Sequence, residues 1–241
     1  MNLQDVIIVL SRPMESGNVG AVCRAMKNMG LSRLRIVDSE EIMKDDVITS
    51  RAVHAADVWE NAEHFNDLSL AIEDCSIVIG TTRRRGRYRK RVSMKTHEIG
   101  SLLAEHPGPA ALVFGNERTG LDVREIEMCN IASHIPANDN FPSLNLSHAV
   151  QIYTYEIFQS LSKINNNVKG QWVPIKNKDM ESLVKKITDS LKMLGFYKQA
   201  ERKEQELFFR DIFSRAALTE KEAEYFSNII SKTVHISKKT T

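Results

Sequence analysis

The 241-residue sequence contains only three cysteines, Cys23, Cys75 and Cys129. They are odd in number, scattered and never paired as C-x-x-C, which argues against a disulfide framework or a zinc site. No apolar run approaches the length of a bilayer span, so no membrane association is expected. Residues 1 to 10 lack the basic start and cleavage site of a signal peptide, which predicts a cytoplasmic protein. Several chemical signatures are also missing. There is no G-x-x-x-x-G-K-[ST] loop and no G-x-G-x-x-G after a strand, which disfavours a P-loop NTPase and a standard dinucleotide site. Neither a G-x-S-x-G elbow nor an H-E-x-x-H pair is present. The seven histidines show no metal-ligand spacing, so no metal is expected. A formal charge of +2 is too small to announce a nucleic-acid partner.

What is present is an alternation of short apolar runs with helical patterns. Val6 to Leu10, Leu34 to Val37, Ile77 to Gly80, Ala110 to Phe114 and Ser133 to Ile135 read as buried strands. Helices are predicted from about Val19 to Met29, closed by Gly30, and over Ser50 to Trp59 and Asp67 to Glu73. Others fall over Thr96 to Glu105 with Thr96 as N-cap, Asp122 to Cys129, and Asn145 to Ser162. This order predicts an α/β domain over residues 1–162, a mostly parallel sheet with helices on both faces. Residues 163–178 are polar, carry Gly and Pro, and read as a linker. Over 179–241 the apolar stripe Met180, Leu183, Val184, Ile187, Leu191 and Leu194 begins a small all-helical extension, in which Thr219 and Glu222 form a capping box.

Three predicted strand ends open into polar turns of small residues, the usual place for a ligand crevice in an open α/β sheet. After the first strand comes Gly17-Asn18-Val19-Gly20, with Arg24 further along the helix. After Phe114 comes Gly115-Asn116-Glu117. The last strand ends at Ile135-Pro136, and its loop closes on Pro142-Ser143-Leu144-Asn145. Each has a plain structural explanation: Asn18 as an N-cap with Arg24 exposed, Glu117 as a first-turn acid, Ser143 as the cap of the last helix. None of these loops is of the glycine–phosphate type.

From Arg83 to Arg91 the chain reads RRRGRYRKR, seven basic residues in nine. Such a cluster attracts phosphates over roughly 8 Å at physiological salt. A solvated surface loop is the alternative. Its place directly after a predicted strand, on the edge that carries the other loops, favours a substrate surface.

Taken together, N-x-G-x-x-x-R, V-F-G-N-E-x-x-G-L and I-P…S-L-N-L-S-H-A-V resemble, in chain order, the three motifs of the SPOUT RNA 2′-O-methyltransferases. The resemblance covers about residues 3 to 162. Within that superfamily the chain is most similar to the TrmJ type, on R-A-M-K-x-M-G-L, the S-L-N-L helix and the helical extension containing L-G-F. Two positions depart: Asn116 stands where that type often has Arg, and Arg83 where a small residue is common.

The resemblance implies a parallel α/β sheet whose C-terminal segment is threaded into a deep trefoil knot, and a homodimer in which each site is completed by the partner. It implies S-adenosylmethionine as methyl donor, bound at Thr81, Thr82, Gly115, Asn116, Ile135, Pro136, Ser143, Leu144 and Asn145. It implies a tRNA substrate methylated on the ribose of the pyrimidine at position 32, in the anticodon loop. The catalytic set carried over is Asn18, Arg24, Glu117, Ser143 and Asn145, with Asn18 orienting Arg24 or the ribose. Arg83, Arg84, Arg85, Arg87, Arg89, Lys90 and Arg91 are candidates for RNA contact. A ribosomal RNA methyltransferase on the same knot, a non-catalytic RNA-binding relative and a generic nucleotide-binding α/β enzyme are the competing readings.

Overall fold

The computed structural model describes residues 1–38, 43–83, 93–162, 173–196 and 202–240. They form two compact units, Met1–Gly170 and Gln171–Thr241.

In the first unit, β1 (Val6–Ser11), α1 (Ser16–Asn28), β2 (Arg33–Val37), α2 (Asp45–Ala52), α3 (Ala56–Glu60), β3 (Glu63–Phe65), α4 (Leu68–Ala71) and β4 (Ile77–Thr81) follow in order. Then come β5 (Ser93–Lys95), α5 (Thr96–Glu105), β6 (Ala110–Phe114), α6 (Val123–Met128), β7 (Ile131–His134) and α7 (Leu146–Ser162). The seven strands form one sheet in the order β3-β2-β1-β6-β4-β7-β5, and every pair is parallel.

A parallel sheet with both faces covered needs apolar side chains at even and odd positions alike. β1 shows why its run is unbroken. Val6, Ile8 and Leu10 enter the larger core, with residues of α1, α2, α5 and α7. Ile7 and Val9 enter the smaller core, with residues of α4 and α6. β6 divides the same way, Ala110, Leu112 and Phe114 on one face and Ala111 and Val113 on the other.

Several local expectations are corrected. α1 begins at Ser16, so Asn18 lies inside its first turn and is not the cap; Glu15 occupies that position. Lys95, not Thr96, precedes α5, and the buried Thr96 hydroxyl instead donates to the His134 carbonyl at 3.2 Å. α7 begins at Leu146, and Asn145, not Ser143, caps it through its side chain. α2 starts five residues earlier than its pattern suggested, at Asp45. The edge strands β3 and β5 were not anticipated, because three mixed-polarity residues carry no period.

The second unit holds α8 (Asn177–Met193), α9 (Arg202–Ala216) and α10 (Glu220–Thr240). Met180, Leu183, Val184 and Ile187 of α8 pack with Phe213 and Leu218 as a separate core. Arg210 clamps Glu181 with two parallel 2.6 Å bonds. The Thr219–Glu222 capping box forms, with the Thr219 N–H donating at 2.8 Å. Among the described residues, no helix is long and apolar enough to cross a membrane.

Candidate active site

Because all strands run in parallel, their C-terminal ends lie along one edge of the sheet. β1 connects outward to β2, whereas β6, its neighbour, connects the other way to β7. Open α/β sheets commonly bind ligands near such a reversal, and here the cleft lies next to it, over the ends of β4, β6 and β7.

The loop after β6 folds back on itself. Asn116 Oδ1 accepts from the Arg118 N–H (3.1 Å), the Thr119 N–H (2.8 Å) and the Thr119 hydroxyl (3.0 Å), and the Gly120 N–H donates to the Asn116 carbonyl at 2.9 Å. A Cβ on Gly115 would overlap the backbone of Gly120 and Leu121. Glycine is required there by the closure of the loop.

Glu117 leaves this loop and crosses to the β1–α1 connection. Its carboxylate accepts from the Met14 N–H at 2.9 Å, the Glu15 N–H at 3.3 Å and the Asn18 side-chain amide at 2.9 Å. Asn18 Oδ1 in turn accepts from Asn145 Nδ2 at 2.9 Å. Asn145 Oδ1 accepts from the Ser147 N–H (2.9 Å) and hydroxyl (2.7 Å). The direction of this chain is determined at both ends. An ionised Glu117 can only accept and the Ser147 N–H can only donate, so both asparagine amides have one consistent orientation. The three motifs are joined by hydrogen bonds.

Beside this relay is a cleft. Thr81 and Thr82 at the end of β4, Gly115, Asn116 and Glu117 after β6, Ile135 after β7, and Ser143 and Leu144 before α7 all line it. Arg83 and Arg118 are exposed and reach it as well. Phe114 and Tyr153, packed edge to face at 5.5 Å, also border it. Burial pushes the Tyr153 phenol well above its ordinary range, so it stays protonated and donates to Ser133 at 2.9 Å. The lining mixes small polar residues with Leu121, Ile135, Leu144 and Leu146, which suits a neutral aromatic ring and its polar substituents better than a polyphosphate. Among the described residues no group of His, Cys, Asp and Glu is arranged to hold a metal ion.

The other predicted residues lie elsewhere. Pro136 is exposed and outside the lining, as is Asn145, which belongs to the relay. Arg24 is exposed on α1 and has no hydrogen-bond or ion-pair partner among the described residues. Six residues separate it from Asn18, about 9 Å along the helix axis and roughly 120° around it. Asn18 is therefore occupied by Glu117 and Asn145, not by Arg24 of the same chain. Arg84, Arg85, Arg87, Arg89, Lys90 and Arg91 lie outside the described residues.

Sequence reasoning missed Tyr153 and the pair Arg12 and Glu125. The spacing Leu146, Ala149, Val150, Tyr153 signals a core-facing stripe, and its N-terminal end borders the crevice. No local signal marked Arg12 or Glu125, which meet across 113 residues.

A parallel α/β sheet with a cleft over the ends of β4, β6 and β7, and a Glu117–Asn18–Asn145 relay beside it, defines the class. The SpoU rRNA Methylase family model matches residues 5–155, and the chain belongs to that family. It is 32% identical to the tRNA (cytidine-2′-O-)-methyltransferase TrmJ of Methanocaldococcus jannaschii, over 90% of this chain and 95% of that protein. It is 34% identical to the tRNA (cytidine/uridine-2′-O-)-methyltransferase TrmJ of Pectobacterium atrosepticum, over 95% of this chain and 96% of that one. The crystal structure of TrmJ from Z. mobilis ZM4 superposes with a TM-score of 0.78 at 25% identity, covering 94% of this chain and 98% of that chain.

Proposed function

We propose that this chain is a tRNA 2′-O-methyltransferase that takes its methyl group from S-adenosylmethionine and acts on the pyrimidine ribose at position 32. It works in the cytoplasm as a homodimer, with the C-terminal segment of its α/β sheet domain threaded into a deep trefoil knot. One observation carries the reading: Glu117 belongs both to the cleft and to the relay that joins Asn18 to Asn145. The names of the relatives support the reaction and the RNA class.

S-adenosylmethionine, when bound, supplies an electrophilic methyl group on a sulfonium centre. Gly115, Ile135, Ser143 and Leu144 would hold it, chiefly through backbone groups and apolar contact. Glu117 keeps the β1–α1 connection against the cleft by accepting two of its backbone N–H groups. Asn18 and Asn145 present a rigid pair of amides to the ribose or its phosphate. Transfer between oppositely charged groups gains mostly from positioning.

Arg24 is assigned to the site of the partner copy, since in its own chain it stands apart from the relay. A guanidinium, which keeps its proton at any ordinary pH, is a poor base. Its role is to grip the phosphate beside the reacting ribose and to stabilise alkoxide charge as it develops, while Ser143 or a water passes the proton on to solvent.

The test is methyl transfer from labelled S-adenosylmethionine to unmodified tRNA and rRNA, followed by nucleoside mapping. Ribose label at tRNA position 32 is the expected result. Base label would remove the 2′-O assignment, and label confined to rRNA would move the substrate. Arg24→Lys should lose most turnover, since an ammonium lacks the two-pronged fork. A strictly monomeric yet active enzyme would overturn the shared site.

A further inference from the structure

We propose that Glu125 and Arg12 are positioning residues for methyl transfer, forming a second anchor for the β1–α1 connection that Glu117 holds from the cleft side. This rests on the methyltransferase reading above.

Glu125, buried at the start of α6, is held by four donors. Its Oε1 accepts from the Ser11 hydroxyl and from Arg12 Nε at 3.3 Å. Its Oε2 accepts from Arg12 Nη2 at 2.6 Å and from the Asp122 N–H at 2.6 Å. Arg12 is the first residue beyond β1, and its backbone is left-handed, with φ +52°. A bulky residue rarely adopts that conformation unless its surroundings hold it there. Here the two-pronged contact with Glu125 does so, while the Arg12 N–H donates to the Val37 carbonyl at 2.9 Å.

Arg12 thus turns the chain off the sheet, and Met14, Glu15 and Asn18 follow within six residues. Glu125 holds the beginning of that turn, and Glu117 holds its middle and its end. Both acids come from the single segment that follows β6, so the connection is clamped to one frame. Without the lower anchor, Asn18 would keep its bonding partners, but the frame that places them would loosen. Misplacements of about 1 Å cost on the order of a hundredfold in rate.

The experiment uses the full chain with Arg12→Gly, Glu125→Gln and the double variant. Arg12→Gly suits the left-handed backbone, so a folded protein is expected even if Glu125→Gln proves unstable. Single-turnover transfer to tRNA should fall about ten- to a hundredfold in Arg12→Gly, with donor and tRNA affinities within about twofold of wild type. The double variant should be no slower than the worse single variant, because both substitutions break the same ion pair. Backbone amide exchange at Met14, Glu15 and Asn18 should quicken in Arg12→Gly whether or not the wild type transfers methyl. Unchanged exchange, an unchanged rate in an active enzyme, or a defect confined to tRNA affinity would each overturn the proposal. A wild type inactive on every RNA would instead sink the methyltransferase reading.

Discussion

Glu117 accepts a 2.9 Å hydrogen bond from the side-chain amide of Asn18, across 99 residues of chain. That bond makes the loop after β6 and the first turn of α1 a single surface, and it determines which way the Asn18 amide faces. Its neutral donor against an ionised acceptor is the stronger kind of hydrogen bond.

Asn18→Asp should therefore be worse than Asn18→Ala. Alanine removes the relay, at a cost of about tenfold in kcat/KM for tRNA. Aspartate sets a second carboxylate against Glu117, and a decrease of about a hundredfold is expected. Steady-state kinetics on both variants settles the order, and equal activities would show that the orientation of this amide is unimportant.

Gly115→Ala should abolish saturable donor binding and destabilise the first unit by about 1–3 kcal/mol, because the added methyl meets backbone that cannot change rotamer. Gly120 is the control. It has φ +67° but open space around a would-be Cβ, so Gly120→Ala should cost only about 1 kcal/mol. Calorimetric unfolding and donor titration of the two variants would expose any error in this ranking.

His106 supplies a pH dependence of stability. Burial, with the nearby N-terminal ammonium second, lowers its pKa from the ordinary 6.5 to about 4. In that window the unfolded chain binds the extra proton and the folded one does not. Stability is then fully present above about pH 6.5 and is lost as pH falls toward 4, by on the order of 3 kcal/mol from this residue. In His106→Gln the unfolding free energy should be flatter across that range; an unchanged slope would assign the acid sensitivity to other groups.

Replacing Arg84, Arg85, Arg87, Arg89, Lys90 and Arg91 with alanine should weaken tRNA binding and flatten its salt dependence. The slope of log K against log salt should shrink by about 0.7–0.9 for each phosphate that the protein no longer neutralises. Donor affinity should stay unchanged. Filter binding across a salt series provides the measurement, and an unaltered slope would mean that these charges do not meet the phosphates.

Much of the frame could be read from local pattern. Ala110–Phe114 and Thr96–Glu105 begin and end where their apolar runs and periods predicted. Asn18 and Ser143 were harder, since a small polar residue near a helix start satisfies the same local rule whether it caps the helix or serves a site. Only the paths of β6 and α7 show that Asn145 is the cap and that Asn18 reaches across to Glu117.

Residue type and spacing were enough to establish a parallel α/β unit, a helical extension and three motifs at strand ends, because burial of apolar faces is a local, periodic property. The partners of Glu117, the clamp of Glu125 on Arg12 and the border formed by Tyr153 depended on tertiary structure. Each joins side chains distant in sequence, and a hydrogen bond of about 3 Å between such groups exists only where the folded sheet brings their carriers together.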